Sequence, residues 1–338
     1  MANMQYWDEI VDAQTLTGWA RAEQEIASKD SLARFLPDTT VDDIRVEFEV
    51  GANGLVAEAA YRAYDAEPEI AGEERGEEVT IKLPAVSRRE TIGEYAQLRL
   101  RGTQGGYEAA IQRAMRRAVR AVINTADRQR ANVLVTGKAT NVGRYKFSDD
   151  FGRDPRLTAT ASALFSDAGV DRIDELKRFR DVYEQIANAA LGAIVVDRDA
   201  AAALFQGDQF RVQLVNGASR PAAEEEVQTM LEAGGLPRIE VHKGRTKTGA
   251  ILPSGTALFL PAPVDPTDAE ATELGATFWG VSLSATEAEY EIPEGEYPGI
   301  VAVAERSKST PHVAQVTADS IQLPVLANAN LSGALKVL

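Results

Sequence analysis

The sequence IQRAMRRAVRAVINTADRQRANVL, residues 111–134, has the periodicity of one long amphipathic helix. Apolar side chains recur at every third or fourth position and fall on one side of that helix. They are Tyr107, Ile111, Ala114, Met115, Ala118, Val119, Val122, Ile123, Ala126 and Val133. A helix over residues 106–133 is roughly 40 Å long, because each residue adds about 1.5 Å. We therefore predict a spine helix around which a domain is built.

Arginines on the opposite side of this helix are the one strong anomaly in the sequence. We name them the arginine face: Arg113, Arg116, Arg117 and Arg120. Like charges three or four residues apart repel by about 0.2–0.5 kcal/mol per pair. Three explanations are open: bound nucleic acid, an acidic segment of the protein itself, or an ordinary solvated face. Nucleic acid is disfavoured, because the face has no aromatic residues for base stacking and the chain carries a formal net charge of −15.

An acidic segment that could meet the arginine face lies at residues 65–78, named here the acidic tip. It contains seven carboxylates against the single Arg75. Strand-like runs flank it, and residues 44–50 before it alternate apolar and charged side chains as a half-buried strand does. We predict a long two-stranded excursion, which alone is only marginally stable in water and so needs a partner surface. The candidate interface residues at its tip are Glu69, Glu73, Glu74, Arg75, Glu77 and Glu78.

The composition excludes several classes of function. The absence of cysteine rules out disulfides, thiolate metal sites and cysteine nucleophiles. Only His242 and His312 are present, far apart, so a multi-histidine metal site is excluded and a histidine triad has little to draw on. No apolar run reaches about 18 residues, and the acidic N-terminus does not resemble a secretion signal. We expect a protein of the cytosol, or of a particle built there, with no membrane partner.

Catalytic motifs are also missing. Asp197 with Asp199, and the three glutamates at 224–226, are interpreted as helix starts, where carboxylates accept hydrogen bonds from free backbone N–H groups. No glycine-rich loop precedes Lys-Ser or Lys-Thr, and there is no nucleophile elbow of the G-x-S-x-G type. We therefore predict no enzyme activity, no cofactor, and neither catalytic nor metal residues.

The remaining segments predict an arm and a mixed domain. Residues 1–43 predict two short helical stretches with too little apolar surface to fold alone. Residues 171–191 predict a further helix. Residues 191–300 alternate strands and helices, which favours a compact α/β or α+β domain. The C-terminal residues predict two or three more strands.

Three stretches carry a family resemblance when taken in order: DTTVDDIRVEFEV (38–50), RIEVHKGRTKTGAILPSGTALFLP (238–261) and ADSIQLPVLANANLSGALKVL (318–338). With the arm, excursion and spine helix, they resemble the major capsid proteins of tailed bacteriophages, and more narrowly the family typified by the lambda major head protein. The resemblance implies an α+β protein with the HK97-like capsid fold. The implied segments are an N-arm at 1–43, a strand and E-loop at 44–90, a peripheral domain with the spine helix at 91–190, an axial domain at 191–300, and a return to the peripheral domain at 301–338.

The resemblance also implies a structural function. Such subunits assemble with copies of themselves, as hexamers and pentamers, into an icosahedral shell in the host cytoplasm that encloses packaged double-stranded DNA without reading its sequence. The N-terminal region is too short for a scaffolding extension, so a separate scaffolding protein is expected, together with a portal and a decoration protein. Lys82 is the only lysine in the E-loop segment, and no covalent crosslink is inferred from it. The alternatives are an encapsulin-type compartment and, from a different class, a DNA-binding protein that uses the arginine face.

Overall fold

The structure is a computed structural model that describes residues 4–7, 10–29, 32–50, 77–101, 105–142, 146–167, 169–213, 219–266 and 272–338. Its helices in these ranges are α1 Ala13–Ser28, α2 Glu94–Leu100, α3 Gly106–Thr136, α4 Arg172–Ala187, α5 Arg198–Phe205, α6 Glu224–Ala233 and α7 Leu283–Thr286. The mixture of helices and sheets confirms the predicted α+β class.

The strands follow the order of the chain. They are β1 Met4–Tyr6, β2 Asp38–Thr40, β3 Arg45–Val50, β4 Glu77–Lys82, β5 Ala85–Ile92, β6 Lys138–Asn141, β7 Phe147–Asp150, β8 Thr158–Thr160, β9 Ala193–Val196, β10 Arg211–Gln213, β11 Ser219–Pro221, β12 Ile239–Val241, β13 Arg245–Thr246, β14 Gly249–Ala250, β15 Thr256–Leu260, β16 Gly275–Gly280, β17 Val301–Ser307, β18 Ala314–Leu326 and β19 Gly333–Lys336.

Two larger sheets organise these strands. One has the order β1-β17-β18-β16-β2, with β5 also paired to β18. The first half of β18 lies between β17 and β5, and its second half pairs with β16. The other sheet has the order β12-β9-β15-β19-β8. Strand β16, from the predicted axial segment, thus lies in the first sheet, and β19, from the predicted return segment, lies in the second. The division into domains stays a prediction.

Helix α3 is the predicted spine helix, and it passes through both hydrophobic cores. Its residues from Ala110 to Ala126 pack with α1 and the six-stranded sheet, whereas Ala131, Val133 and Leu134 join the core of the five-stranded sheet. With 31 residues it is about 46 Å long. One rigid element therefore fixes the position of both sheets.

Side chains set where the helices begin and end. Asp197 accepts hydrogen bonds from the backbone N–H of Asp199 at 2.8 Å and of Ala200 at 3.3 Å, so it caps the start of α5 as predicted. Glu226 accepts one from Ala223 at the start of α6. Gly137, with φ +70°, ends α3.

Arg153 completes the end of α3. Its guanidinium donates to the carbonyl oxygens of Leu134, at 2.7 Å, and Val135. Burial lowers the pKa of Arg153 to about 10, although the Asp150 carboxylate opposes this shift. The C-terminal carbonyls of the spine helix are therefore covered by a buried cation.

The base of the predicted excursion is present as an antiparallel pair. Strands β3 and β4 pair from Arg45 opposite Lys82 to Val50 opposite Glu77. This pairing confirms the predicted strand before the excursion and the return after it. Residues 51–76, which include most of the acidic tip, lie outside the described residues.

Candidate subunit interface

The arginine face lies on the exposed side of α3, and the protein itself supplies part of its counter-charge. Glu23 of α1 pairs with Arg120 at 2.7 Å and lies 4.0 Å from Arg116. Glu90 of β5 pairs with Arg117 at 3.1 Å. The sequence analysis did not identify either glutamate, because each is far from α3 along the chain.

The arginine face nevertheless keeps an excess of positive charge. Glu23 is shared by two of its arginines, and Glu90 also pairs with Arg88 at 3.2 Å. Arg113 is in no ion pair with the described residues. The three paired arginine side chains remain 59–68% exposed, and ion pairs of such exposure contribute about 0.2–1 kcal/mol each. The face is thus positioned by α1 and β5 and is still open to further anions.

A cleft of about 400 Å³ lies beside this face, between α2, the end of β5 and the start of α3. Its cationic lining comes from Arg99, Arg113 and Arg117, and its apolar lining includes Ile92 and Leu100. The shape and lining suit a segment that carries both apolar and acidic side chains.

Helix α2 adds exposed apolar surface next to the cleft. Tyr95 is 75% exposed and Leu98 is 64% exposed. Side chains of this size are seldom so exposed in groups unless another molecule covers them. The cleft, α2 and the arginine face together form the candidate subunit interface.

The predicted acidic half of the contact is only partly described. Glu77 and Glu78 belong to β4, at the base of the excursion. Glu69, Glu73, Glu74 and Arg75 lie outside the described residues. Whether the acidic tip of one copy meets the arginine face of another stays a prediction.

A buried charge cluster holds the framework of this surface. Arg130 of α3 donates from Nη1 to Asp127 Oδ1 at 2.8 Å and from Nε to Thr277 Oγ1 at 2.8 Å, and it forms an ion pair with Asp38 of β2. Its side chain is 2% exposed. Burial alone would lower the pKa of Arg130, but the carboxylates of Asp38 and Asp127 outweigh burial and raise it. This arginine is therefore charged and fully paired inside the protein.

Asp38 extends the cluster to helix α1 and adds a second residue of β16. Its Oδ1 accepts the indole N–H of Trp279 at 2.7 Å, and its Oδ2 accepts hydrogen bonds from Gln24 and Ser28 of α1, both at 3.2 Å. Helix α1, strand β2, the spine helix and strand β16 therefore share one polar network. This network could not be predicted from the sequence. Asp127 and Arg130 interrupt the apolar pattern of α3, but nothing in the pattern shows which distant residues they contact.

The described residues contain no group of three or more histidines or acidic residues placed to hold a metal ion. His242 is half-buried, and burial lowers its pKa below 6.5, with Arg34 acting in the same direction and Asp127 opposing. Among these residues no helix is both long enough and apolar enough to cross a bilayer.

Comparison with known proteins identifies related folds. A family model described as phage major capsid protein E matches residues 33–334. The protein assigned as the capsid protein of an E. coli CFT073 prophage is similar in structure, with 13% identity, coverage of 97% of this chain and 99% of that chain, and a TM-score of 0.63. A phage-related protein from Bordetella bronchiseptica RB50 has 13% identity, coverages of 96% and 97%, and a TM-score of 0.56.

A more distant likeness is to the SrpI encapsulin of Synechococcus elongatus PCC 7942, with 12% identity, coverages of 91% and 86%, and a TM-score of 0.46. No curated protein matches in sequence. The similarity to the two phage-related structures confirms the predicted HK97-like capsid fold.

Proposed function

The chain belongs to the phage major capsid protein E family, and from this membership we propose that it is the structural subunit of a phage head. The subunit assembles with copies of itself, as hexamers and pentamers, into an icosahedral shell around packaged double-stranded DNA. The observation that carries this proposal is the family match over residues 33–334, which includes the spine helix and most of both sheets. Its role is structural rather than enzymatic, and assembly takes place in the host cytoplasm.

The two alternative functions are less well supported. An encapsulin-type compartment would use the same fold, but the family match is to phage capsid proteins. A DNA-binding protein would need the arginine face free of carboxylates, whereas Glu23 and Glu90 occupy part of it. The shell subunit is therefore the function we propose.

We infer that the candidate subunit interface receives the acidic tip of a neighbouring copy. Three arginines of the face share two glutamates, and Arg113 is in no ion pair with the described residues, so the face can accept more negative charge. The tip supplies seven carboxylates, and it also carries Ile70 between glutamates, which suits the mixed lining of the cleft. Each such contact is weak, but a symmetric shell repeats it many times.

Further partners follow from the same role. We propose a separate scaffolding protein, and a portal through which DNA enters. A decoration protein on the outer surface completes the expected set. None of these partners is needed for the central test, which is assembly of the purified chain.

Electron microscopy of charge-reversal variants tests the interface. We expect Glu73→Lys, Glu74→Lys, Glu77→Lys and Glu78→Lys together to block shell formation while leaving the subunit folded by circular dichroism. Reversal of Arg113 to glutamate in the same chain should partly restore shells, because this arginine is in no ion pair with the described residues and its charge can be exchanged without loss of a pair within the subunit.

A matched control distinguishes the effect of where the charges are reversed from the effect of the changed net charge. Glu287, Glu289, Glu291 and Glu294 form another exposed group of four glutamates, and their reversal changes the net charge equally. We expect this control to retain shells. Intact shells from the variant at residues 73–78, seen in negative stain, would refute the interface. An absence of megadalton particles from the wild-type chain would refute the shell function.

A further inference from the structure

A second group of cations lies on the hairpin formed by β13 and β14. We name residues 243–250 the basic hairpin. Exposure alternates along it: Lys243, Arg245 and Lys247 are exposed, whereas Gly244 and Thr246 between them are half-buried. The three cations are therefore all accessible to solvent on the hairpin.

These cations differ from Arg116, Arg117 and Arg120 of the arginine face, each of which has a carboxylate partner. Lys243, Arg245 and Lys247 are in no ion pair with the residues that the structure describes. The carboxylate nearest to them in sequence, Glu240, is paired with Arg34 at 2.6 Å. The charge of the basic hairpin is thus available to an external anion.

The spine helix fixes the basic hairpin in place. Arg128 of α3 donates to Thr246 Oγ1 at 2.6 Å and to the carbonyl oxygen of Gly249 at 3.3 Å. The hairpin closes in a tight turn, with Arg245 opposite Ala250 and Thr246 opposite Gly249. A backbone hydrogen bond from Ile251 to Gly244, at 3.0 Å, extends the pairing by one step. The cations are therefore presented on a rigid support rather than on a free loop.

We propose that the basic hairpin contacts the phosphate backbone of the DNA enclosed by the shell. This inference rests on the proposed function for the presence of DNA. Arg245 lies in β13, Lys243 lies two residues before it and Lys247 lies in the turn that follows, so the three cations are close enough along the chain to meet neighbouring phosphates of one duplex.

The negative charge of the rest of the chain restricts DNA contact to the basic hairpin. The net charge of −15 repels DNA from most of the surface. Three cations without carboxylate partners then give a contact that is weak, independent of sequence and sensitive to salt. The competing occupant is an acidic segment of a second copy, and the experiment below separates the two.

Fluorescence anisotropy with a labelled DNA duplex of arbitrary sequence tests the proposal on the purified, unassembled full-length chain. Three phosphate contacts give a slope of about −2.7 for log K against log salt, so binding should weaken about 40-fold between about 50 and 200 mM salt. In the variant Lys243→Gln, Arg245→Gln, Lys247→Gln we expect the slope to fall to near zero. Each single replacement should reduce it by about 0.9.

The matched control is Arg156→Gln, Arg220→Gln, Arg238→Gln, which changes the net charge by the same amount at three exposed arginines that each pair with a carboxylate. It should keep the wild-type slope, and equal urea midpoints for the two variants would show that both are folded. Equal loss of DNA binding in both variants, or no salt-dependent binding by the wild type, would overturn the proposal. So would a hairpin variant that binds DNA normally but no longer forms shells, because its partner is then a second copy. Shell formation by the wild-type chain is measured separately, so failure of the proposed function is distinguishable.

Discussion

The Arg130 guanidinium and the Asp38 carboxylate, 92 residues apart in the chain, form an ion pair inside the protein. Because Asp38 also accepts hydrogen bonds from α1, this pair fastens the N-terminal arm to the spine helix. Glu23, which neutralises part of the arginine face, lies on the same helix α1. The position of Glu23 beside the arginine face therefore depends on the buried ion pair of Arg130 with Asp38.

Replacement of Arg130 by methionine should be strongly destabilising. It leaves Asp38 and Asp127 buried beside an apolar side chain, and loss of one partner from a buried pair costs about 3–5 kcal/mol. The free energy of unfolding from urea denaturation measures the loss. The control is Arg238→Met, which removes an arginine that pairs with Glu225 at 2.6 Å and is 57% exposed. The control should lose about 1 kcal/mol or less. Similar losses in the two variants would contradict the assignment of Arg130.

Two glycines with left-handed backbone lie at the ends of α3. Replacing one by alanine strains only the backbone, whereas replacing the other also brings the new Cβ into contact with Arg153. Gly137 has φ +70°, and a Cβ added there would lie 2.8 Å from Arg153 Cβ. Gly105 has φ +69°, with nothing within 4 Å of an added Cβ. Gly105→Ala should cost about 1–2 kcal/mol from the left-handed backbone alone. Gly137→Ala should cost more, because it also displaces the guanidinium that covers the helix end. Thermal denaturation of both variants checks the order, and a smaller loss for Gly137→Ala would refute it.

Stability should depend on the protonation of His242. Burial lowers its pKa in the folded protein below the value of 6.5 that it has when unfolded. The unfolded chain therefore binds the proton more readily, and stability falls as the pH decreases below about 6.5, down to the folded-state pKa. His242→Gln should lose less stability than the wild type between about pH 7.5 and 5.5 in urea denaturation. The exposed His312→Gln serves as control. An unchanged pH dependence in His242→Gln would exclude this contribution.

The exposed side chains of α2 should matter for assembly rather than for folding. If Leu98 is covered in the shell, Leu98→Ser removes about 1.5 kcal/mol or more per contact, which raises the assembly threshold about tenfold. Tyr95→Ser should act in the same direction, and light scattering against protein concentration measures both. Leu283→Ser makes the same change at a leucine that is 83% exposed and distant from the cleft along the chain. An equal rise of the assembly threshold in Leu283→Ser would contradict a specific role of α2 in assembly.

Helices and strands whose apolar residues follow a single regular spacing could be predicted from the sequence. The spacing of Ile111, Met115 and Val122 predicted the spine helix, and the structure extends it only from residue 133 to Thr136. Asp197 was predicted as a helix start because carboxylates at that position have a local partner. In both cases the determining contacts lie within a few residues.

The long-range contacts could not be predicted in this way. Arg130 and Asp38 are each ordinary in their own segments, and only the fold brings them together. The same holds for Arg120 with Glu23, although the surplus of positive charge on α3 did indicate that some anion was needed. Strand β19 pairs with β15 rather than with the strand that precedes it, because pairing is set by the packing of whole layers.

The position of β18 in the chain has a consequence for the timing of synthesis. This strand contacts β5, β16 and β17, so the six-stranded sheet cannot close until residue 326 has left the ribosome. A bacterial ribosome adds about 5–20 residues per second, and the N-terminal arm and spine helix therefore wait many seconds for their sheet. Any contact that depends on this sheet is therefore completed only after residue 326 has emerged.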